Sequence, residues 1–179
     1  MPIARILFKF LFITLLILII IGIFLPSKSL IENSISIQSS SKKIFPYIND
    51  TALFLEWSPW NKMGTNSELI FKGKSRGIGS EIFWKNTESE INNGNIEIVE
   101  SEKNTKTEMI FNFGDKFYGR STLLLIPESE NSTTVIWKIE ADFGWDLFSR
   151  YAGLLFQKFI GKVYENGLKD LKRKIEIDD

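Results

Sequence analysis

The 179-residue sequence predicts an α+β fold: one antiparallel sheet curved around a long C-terminal helix, with a transmembrane helix in front. Three observations carry this. Residues 145–175 repeat apolar side chains at intervals of three and four, the period of a helix face. Most of residues 30–143 alternate apolar and polar in short runs bounded by turn residues, as half-buried strands do. Residues 6–25 are apolar almost throughout.

In the C-terminal helix Phe148, Tyr151, Ala152, Leu155, Phe159, Val163, Leu171 and Ile175 fall on one face. Lys158, Lys162, Glu165, Lys169, Asp170, Lys172 and Lys174 fall mostly off it. Asp146 is the expected N-cap, and no proline interrupts the run. At ~1.5 Å per residue such a helix is roughly 40 Å long, and one greasy face of that length needs a large apolar partner. The basic residues at its end, Lys169, Lys172, Arg173 and Lys174, read as dipole partners on a solvated face, as the acidic tail of Glu176, Asp178 and Asp179 supports.

The N-terminal run, residues 6–25, carries one charge, Lys9, near its start, where it can reach the interface. About 20 helical residues match a hydrocarbon core of ~30 Å. A cleaved signal peptide is the competing reading. The run is longer than a usual h-region, and nothing after it resembles an A-x-A site, so residues 1–28 are expected to be an uncleaved anchor with a short linker and residues 29–179 one domain. Arg5 precedes the span and Lys9 lies at its start, a nearest-charge bias that places the N-terminus in the cytoplasm and the domain outside. The linker is so short that the domain must sit against the membrane surface.

Between these ends, residues 30–38 alternate Ile31, Asn33, Ile35 and Ile37 against polar neighbours. Ser39, Ser40 and Ser41 offer caps for a helix bearing Ile44, Phe45, Tyr47 and Ile48; Pro46 belongs near a first turn, so that helix should be short or kinked. Asn49-Asp50-Thr51 caps a second short helix over residues 52–56, which ends in the rigid turn Trp57-Ser58-Pro59-Trp60. Strands follow at 68–74, 80–85, 96–101, 106–113, 117–126 and 133–143. Turns are expected at Gly77-Ile78-Gly79, at Asn92-Asn93-Gly94-Asn95, at 102–104, at 114–116 and over a loop at 127–132. The Gly-x-Gly pair lacks the third glycine, the Lys-Ser/Thr and the following helix of a phosphate loop.

Strand phase carries the functional expectation. Val135, Trp137, Ile139, Ala141 and Phe143 share one face, opposite Lys138, Glu140 and Asp142; Met109, Phe111 and Phe113 oppose Glu108. The inner face is thus aromatic and nearly uncharged, while the strand carboxylates point outward, away from any cleft in which paired acids would work. The phase of 117–126 is ambiguous, with Tyr118, Arg120 and Thr122 the candidates for a polar group inside.

Composition removes whole classes. With 22 basic and 22 acidic residues the chain lacks the basic surplus of a nucleic-acid binder. It has no cysteine and no histidine, which excludes Ser-His-Asp and Cys-His catalysis and the common zinc sites; no metal and no cofactor is expected. Fifteen Phe and five Trp suggest a core or pocket lined with rings.

The order anchor, strand, two short helices, six strands and long helix resembles the helix-grip fold of the START-like superfamily (SRPBCC), which includes the birch pollen allergen and polyketide cyclase/dehydrase-like lipid-binding proteins. Ser41-Lys42-Lys43-Ile44-Phe45-Pro46-Tyr47-Ile48 resembles the family's opening helix, and Trp57-Ser58-Pro59-Trp60 its W-x-P/x-W turn. Gly77-Ile78-Gly79-Ser80 followed by Trp84 and Gly94, the strand Val135-Ile136-Trp137, and Gly167-Leu168-Lys169-Asp170-Leu171-Lys172 resemble its later motifs in order. The resemblance implies a cavity between sheet and helix that takes lipids, sterols or polyketides, and it carries over no catalytic residues.

The expectation is a membrane-tethered binding protein for a hydrophobic small molecule or lipid, contacted by Trp57, Trp60, Trp84, Phe111, Phe113, Trp137 and Phe148. For any one of these rings, simple core packing is the ordinary role. The alternatives are a cyclase- or hydratase-like enzyme in the same cavity, for which Tyr118, Glu81 and Tyr151 are the side chains to test, and a non-catalytic envelope interaction domain with a filled core.

Overall fold

The computed structural model describes residues 2–60, 67–86, 93–113 and 117–177. Helix α1 (Pro2–Phe24) is followed by strand β1 (Lys28–Ile37) and by two short helices, α2 (Ser41–Asn49) and α3 (Thr51–Trp57). Six strands come next: β2 (Ser67–Gly73), β3 (Ser80–Asn86), β4 (Gly94–Glu102), β5 (Lys106–Phe113), β6 (Phe117–Ser129) and β7 (Ser132–Asp142). The chain closes with α4 (Leu147–Ile177). The sheet order is β1-β7-β6-β5-β4-β3-β2, antiparallel throughout, so the first strand leaves the meander and pairs with the last. α4 lies across the inner face, and the expected helix-grip architecture is present.

Local chemistry explains the elements. Asp50 caps α3, accepting from the amides of Ala52 at 3.0 Å and Leu53 at 3.3 Å. Asp146 caps α4, accepting from the Phe148 amide at 3.1 Å and the Ser149 hydroxyl at 2.6 Å. Gly77 and Gly79 both take positive φ, and their amides reach Asn49 O at 2.8 Å and Ile98 O at 2.9 Å, so the turn anchors the strands to α2. Asn33, on the inner face of β1, donates to Gly161 O of α4 at 3.2 Å.

Four expectations need correction. Pro46 sits inside α2, in a nine-residue helix that keeps Ile44 and Ile48 buried. Packing of that face holds the helix despite the missing amide. Gly94 belongs to β4, facing Trp84 of β3, and does not form a hairpin tip. A Cβ at Gly94 would overlap the Trp84 ring, so the glycine makes room for the indole. The expected loop at 127–132 is strand almost to its tip, with a register irregularity between Pro127 and Ser129 that absorbs the proline. The fourth concerns α4. Its core-facing stripe is Ile160, Tyr164, Leu168, Leu171 and Ile175, while Val163 is 42% exposed and Phe148 82%.

The inner face of β7 is as expected: Val135, Trp137, Ile139 and Ala141 are buried. In β6 the ambiguity resolves against all three candidates. Gly119, Ser121, Leu123 and Leu125 point inward, and Tyr118, Arg120 and Thr122 outward. Outside, Glu108 is buried beneath Arg120 and Lys106, both of which pair with it.

Candidate ligand site

Between sheet and α4 the rings meet in one chain of contacts. Trp57 touches Phe54 and Trp137, each with centroids 5.1 Å apart. Trp137 meets Tyr164 edge-on at 4.5 Å. Tyr164 meets Trp60 at 6.3 Å, and Trp60 continues to Phe111 at 5.1 Å and Trp84 at 6.2 Å. Such edge-to-face and tilted geometries suit the ring quadrupoles.

Small residues let the rings lie down. Phe111 is opposite Gly119 and covers it, and a Cβ at Gly119 would strike the ring. Gly167 lets α4 approach the aromatic turn: a Cβ there would stand 3.0 Å from Pro59 Cδ and 3.1 Å from Trp137 Cζ3. These positions turn the Trp57-Ser58-Pro59-Trp60 segment and the Gly167 segment, far apart in the chain, into one wall.

The polar groups of this region are few. The Trp137 indole N–H donates to Ser121 Oγ at 2.7 Å, and the Trp57 indole N–H to Tyr47 O at 2.8 Å. Tyr164 is buried among the rings, and that burial pushes its phenol far above the usual range, so the hydroxyl stays protonated.

Of the expected contact residues, Trp57, Trp60, Trp84, Phe111 and Trp137 converge here, all buried. The side chain of Phe113 lies outside the described residues. Phe148 stands apart, pointing away from the sheet at the start of α4. Tyr164 joins the two halves of the cluster, and sequence reasoning missed it. The signal was there, since Ile160, Tyr164, Leu168, Leu171 and Ile175 also keep helical spacing, but periodicity alone does not choose between two stripes on one helix.

The proposed enzymatic side chains do not converge. Glu81, on the outer face, accepts from Asn95 Nδ2 at 2.7 Å. Tyr118 is exposed on the outer face, and Tyr151 donates to Leu18 O of α1 at 2.6 Å.

The sequence profile of a family described as "Polyketide cyclase / dehydrase and lipid transport" matches residues 30–176. The chain belongs to this family. Solved structures agree in fold. A protein from Thermobifida fusca is 17% identical, with a TM-score of 0.61 over 83% of this chain and 93% of its own. A START superfamily protein from Mycobacterium smegmatis is 13% identical, with a TM-score of 0.54 over 84% and 99%. Truncated norcoclaurine synthase from Thalictrum flavum is 10% identical, with a TM-score of 0.57 over 83% and 93%. At these identities the likeness is one of fold. No curated protein matches the chain. This member of the polyketide cyclase/dehydrase and lipid-transport family also has an N-terminal helix, Ile3–Phe24, long and apolar enough to cross a membrane.

Proposed function

We propose that the protein is a membrane-tethered binding protein for a hydrophobic small molecule or lipid, held between the sheet and α4. The observation that carries this is the uncharged ring wall in which Trp57, Trp60 and Tyr164 pack over Trp84, Phe111 and Trp137 of the inner face. A family described by lipid transport supports the same reading. The wall offers mainly apolar surface with a few polar groups, the Tyr164 phenol and the Trp60 indole N–H among them, which suits a ligand recognised chiefly by shape and apolar area. Residues 1–28 serve as a single-pass anchor and linker and residues 29–179 as the binding domain, the N-terminus on the cytoplasmic side by the bias of Arg5 and Lys9.

A second reading, a cyclase- or hydratase-like enzyme, would use the buried Tyr164 hydroxyl as a hydrogen-bond donor to a substrate oxygen and not as a proton-transferring acid, because burial moves its pKa further from neutral.

The test is native mass spectrometry of the full chain in copolymer-excised membrane particles, with lipid analysis of what denaturation releases. One apolar passenger per chain, enriched over bulk membrane lipid, is the expected result. Particles that repeatedly release bulk lipid alone would refute the proposal.

A further inference from the structure

The apolar side chains at the start of α4 do not serve the ring wall. Trp145 and Phe148 are each 82% exposed, and Leu154 is 57% exposed. They flank two residues that grip α1. Arg150, only 6% exposed, donates to Ile23 O at 3.0 Å and Leu25 O at 3.3 Å, at the C-terminal end of α1. That end has unsatisfied carbonyls and the negative pole of the helix dipole, and both favour a guanidinium. Arg150 also holds Gly144 O, at 2.7 and 2.8 Å. Tyr151 donates to Leu18 O, and Gly22 clears the space between the helices: a Cβ there would stand 3.1 Å from Tyr151 Cε2 and 3.3 Å from Leu147 Cδ2.

Depth follows from these contacts. Leu18 precedes the end of α1 at Phe24 by six residues, roughly 9 Å along the axis at ~1.5 Å per residue. With α1 spanning the bilayer, Tyr151 therefore lies below the edge of the hydrocarbon. Arg150 is satisfied within the protein by four carbonyl contacts and Tyr151 by Leu18 O, while Asp146 caps the helix and stays exposed at its very start, beside Trp145. The Asp146 cap is common to helix starts in water, but a buried guanidinium and a phenol bonded to the backbone of a membrane-crossing helix answer the demand that lipid makes on polar groups. Trp145, at the mouth of the stretch, suits the headgroup level.

We infer that residues 145–154 are inserted into the bilayer leaflet beside the domain, with Trp145, Phe148 and Leu154 in contact with lipid. The occupant is lipid because the patch is continuous with the exposed apolar surface of α1. A cleft of about 200 Å³, walled by Lys28, Ser29 and Arg150 as well as Phe143, Gly153 and Leu154, opens at the same end. The inference rests on the proposal that α1 spans the membrane, and the experiment separates the two.

The chain has no cysteine, so a single introduced one carries a spin label uniquely. The full-length variants Phe148→Cys, Leu154→Cys, Ile13→Cys and Ile126→Cys are reconstituted in vesicles of phosphatidylethanolamine and phosphatidylglycerol. Collisions with oxygen, which partitions into lipid, are compared with those of a water-soluble nickel chelate. Ile126 pairs with Thr134, roughly 26 Å along β7 from the membrane end at Asp142 at ~3.3 Å per residue, and serves as the aqueous reference. The expected result is an oxygen-to-nickel collision ratio several-fold higher at 148 and 154 than at 126, approaching that at 13. If 148 and 154 match 126 while 13 is deep, insertion is overturned and the span stands. If 13 itself meets the nickel chelate, the span reading fails and the inference with it. Shielding of 148 and 154 from both reagents would mean a protein occupant, a second copy of the chain included, and would also overturn it.

Discussion

Replacing Ser121 by alanine removes one oxygen atom from the inside of the sheet. That atom accepts the Trp137 indole N–H at 2.7 Å, and Trp137 is fully buried against Trp57 and Tyr164. Loss of a single oxygen does not open the ~30 Å³ share of a water molecule, so solvent cannot take over the bond. A buried donor left unsatisfied costs about 1–3 kcal/mol. Taking ~2 kcal/mol, and ~2–4 °C per kcal/mol for a domain of this size, Ser121→Ala should lower the melting temperature by roughly 4–8 °C. The assay is thermal unfolding of the full chain in mild detergent, followed by tryptophan emission. The decisive version is a double-mutant cycle with Trp137→Phe. Without an indole N–H the serine has no donor to serve, so Ser121→Ala should cost at least ~1 kcal/mol less in that background. A melting temperature unchanged by Ser121→Ala, or an equal cost in both backgrounds, would refute the reasoning that the serine stabilises the fold by satisfying the buried indole N–H.

Two further outcomes are expected. Because burial raises the Tyr164 phenol above its unfolded value of about 10, the folded state holds the proton that the unfolded state releases. Its contribution is complete below pH ~10 and is lost as pH rises beyond that, at up to ~1.4 kcal/mol per pH unit; Tyr164→Phe should flatten the alkaline fall in a urea-unfolding series, and an unchanged slope would contradict the burial. Gly167→Leu should push α4 off Pro59 and Trp137, at a cost of about 1–3 kcal/mol by overpacking, read as an earlier urea midpoint and a red-shifted tryptophan emission.

Much of this architecture was legible in the residues themselves. Strand phases in β1 and β7, the Asp50 and Asp146 caps, and the aromatic turn all follow from short-range chemistry, where the cause lies within a few positions. Five expected rings converge because strand alternation places Trp84, Phe111 and Trp137 on one face and the capped helix α3 brings Trp57 and Trp60 over it. The errors have one origin. Gly94 looked like a turn residue, yet the ring it accommodates is Trp84, on a neighbouring strand. Phe148 looked like core because its spacing fits, while Tyr164 and Ile160 fit a second stripe equally well.

The sequence by itself determined that the chain has one long apolar N-terminal helix, an antiparallel sheet with a ring-lined inner face, and no histidine or cysteine chemistry. Periodicity and composition are local properties, and they suffice for that. Only the tertiary structure decided which stripe of α4 meets the sheet, that Ser121 and Tyr164 are the polar points among the rings, and that the first turns of α4 pack on α1 through Arg150 and Tyr151. A helix carrying apolar residues on more than one face has several rotations of similar burial energy, and the choice falls to steric fits and hydrogen bonds with segments distant in sequence. Here glycines at 22 and 167 open those fits, and a guanidinium closes the end of α1.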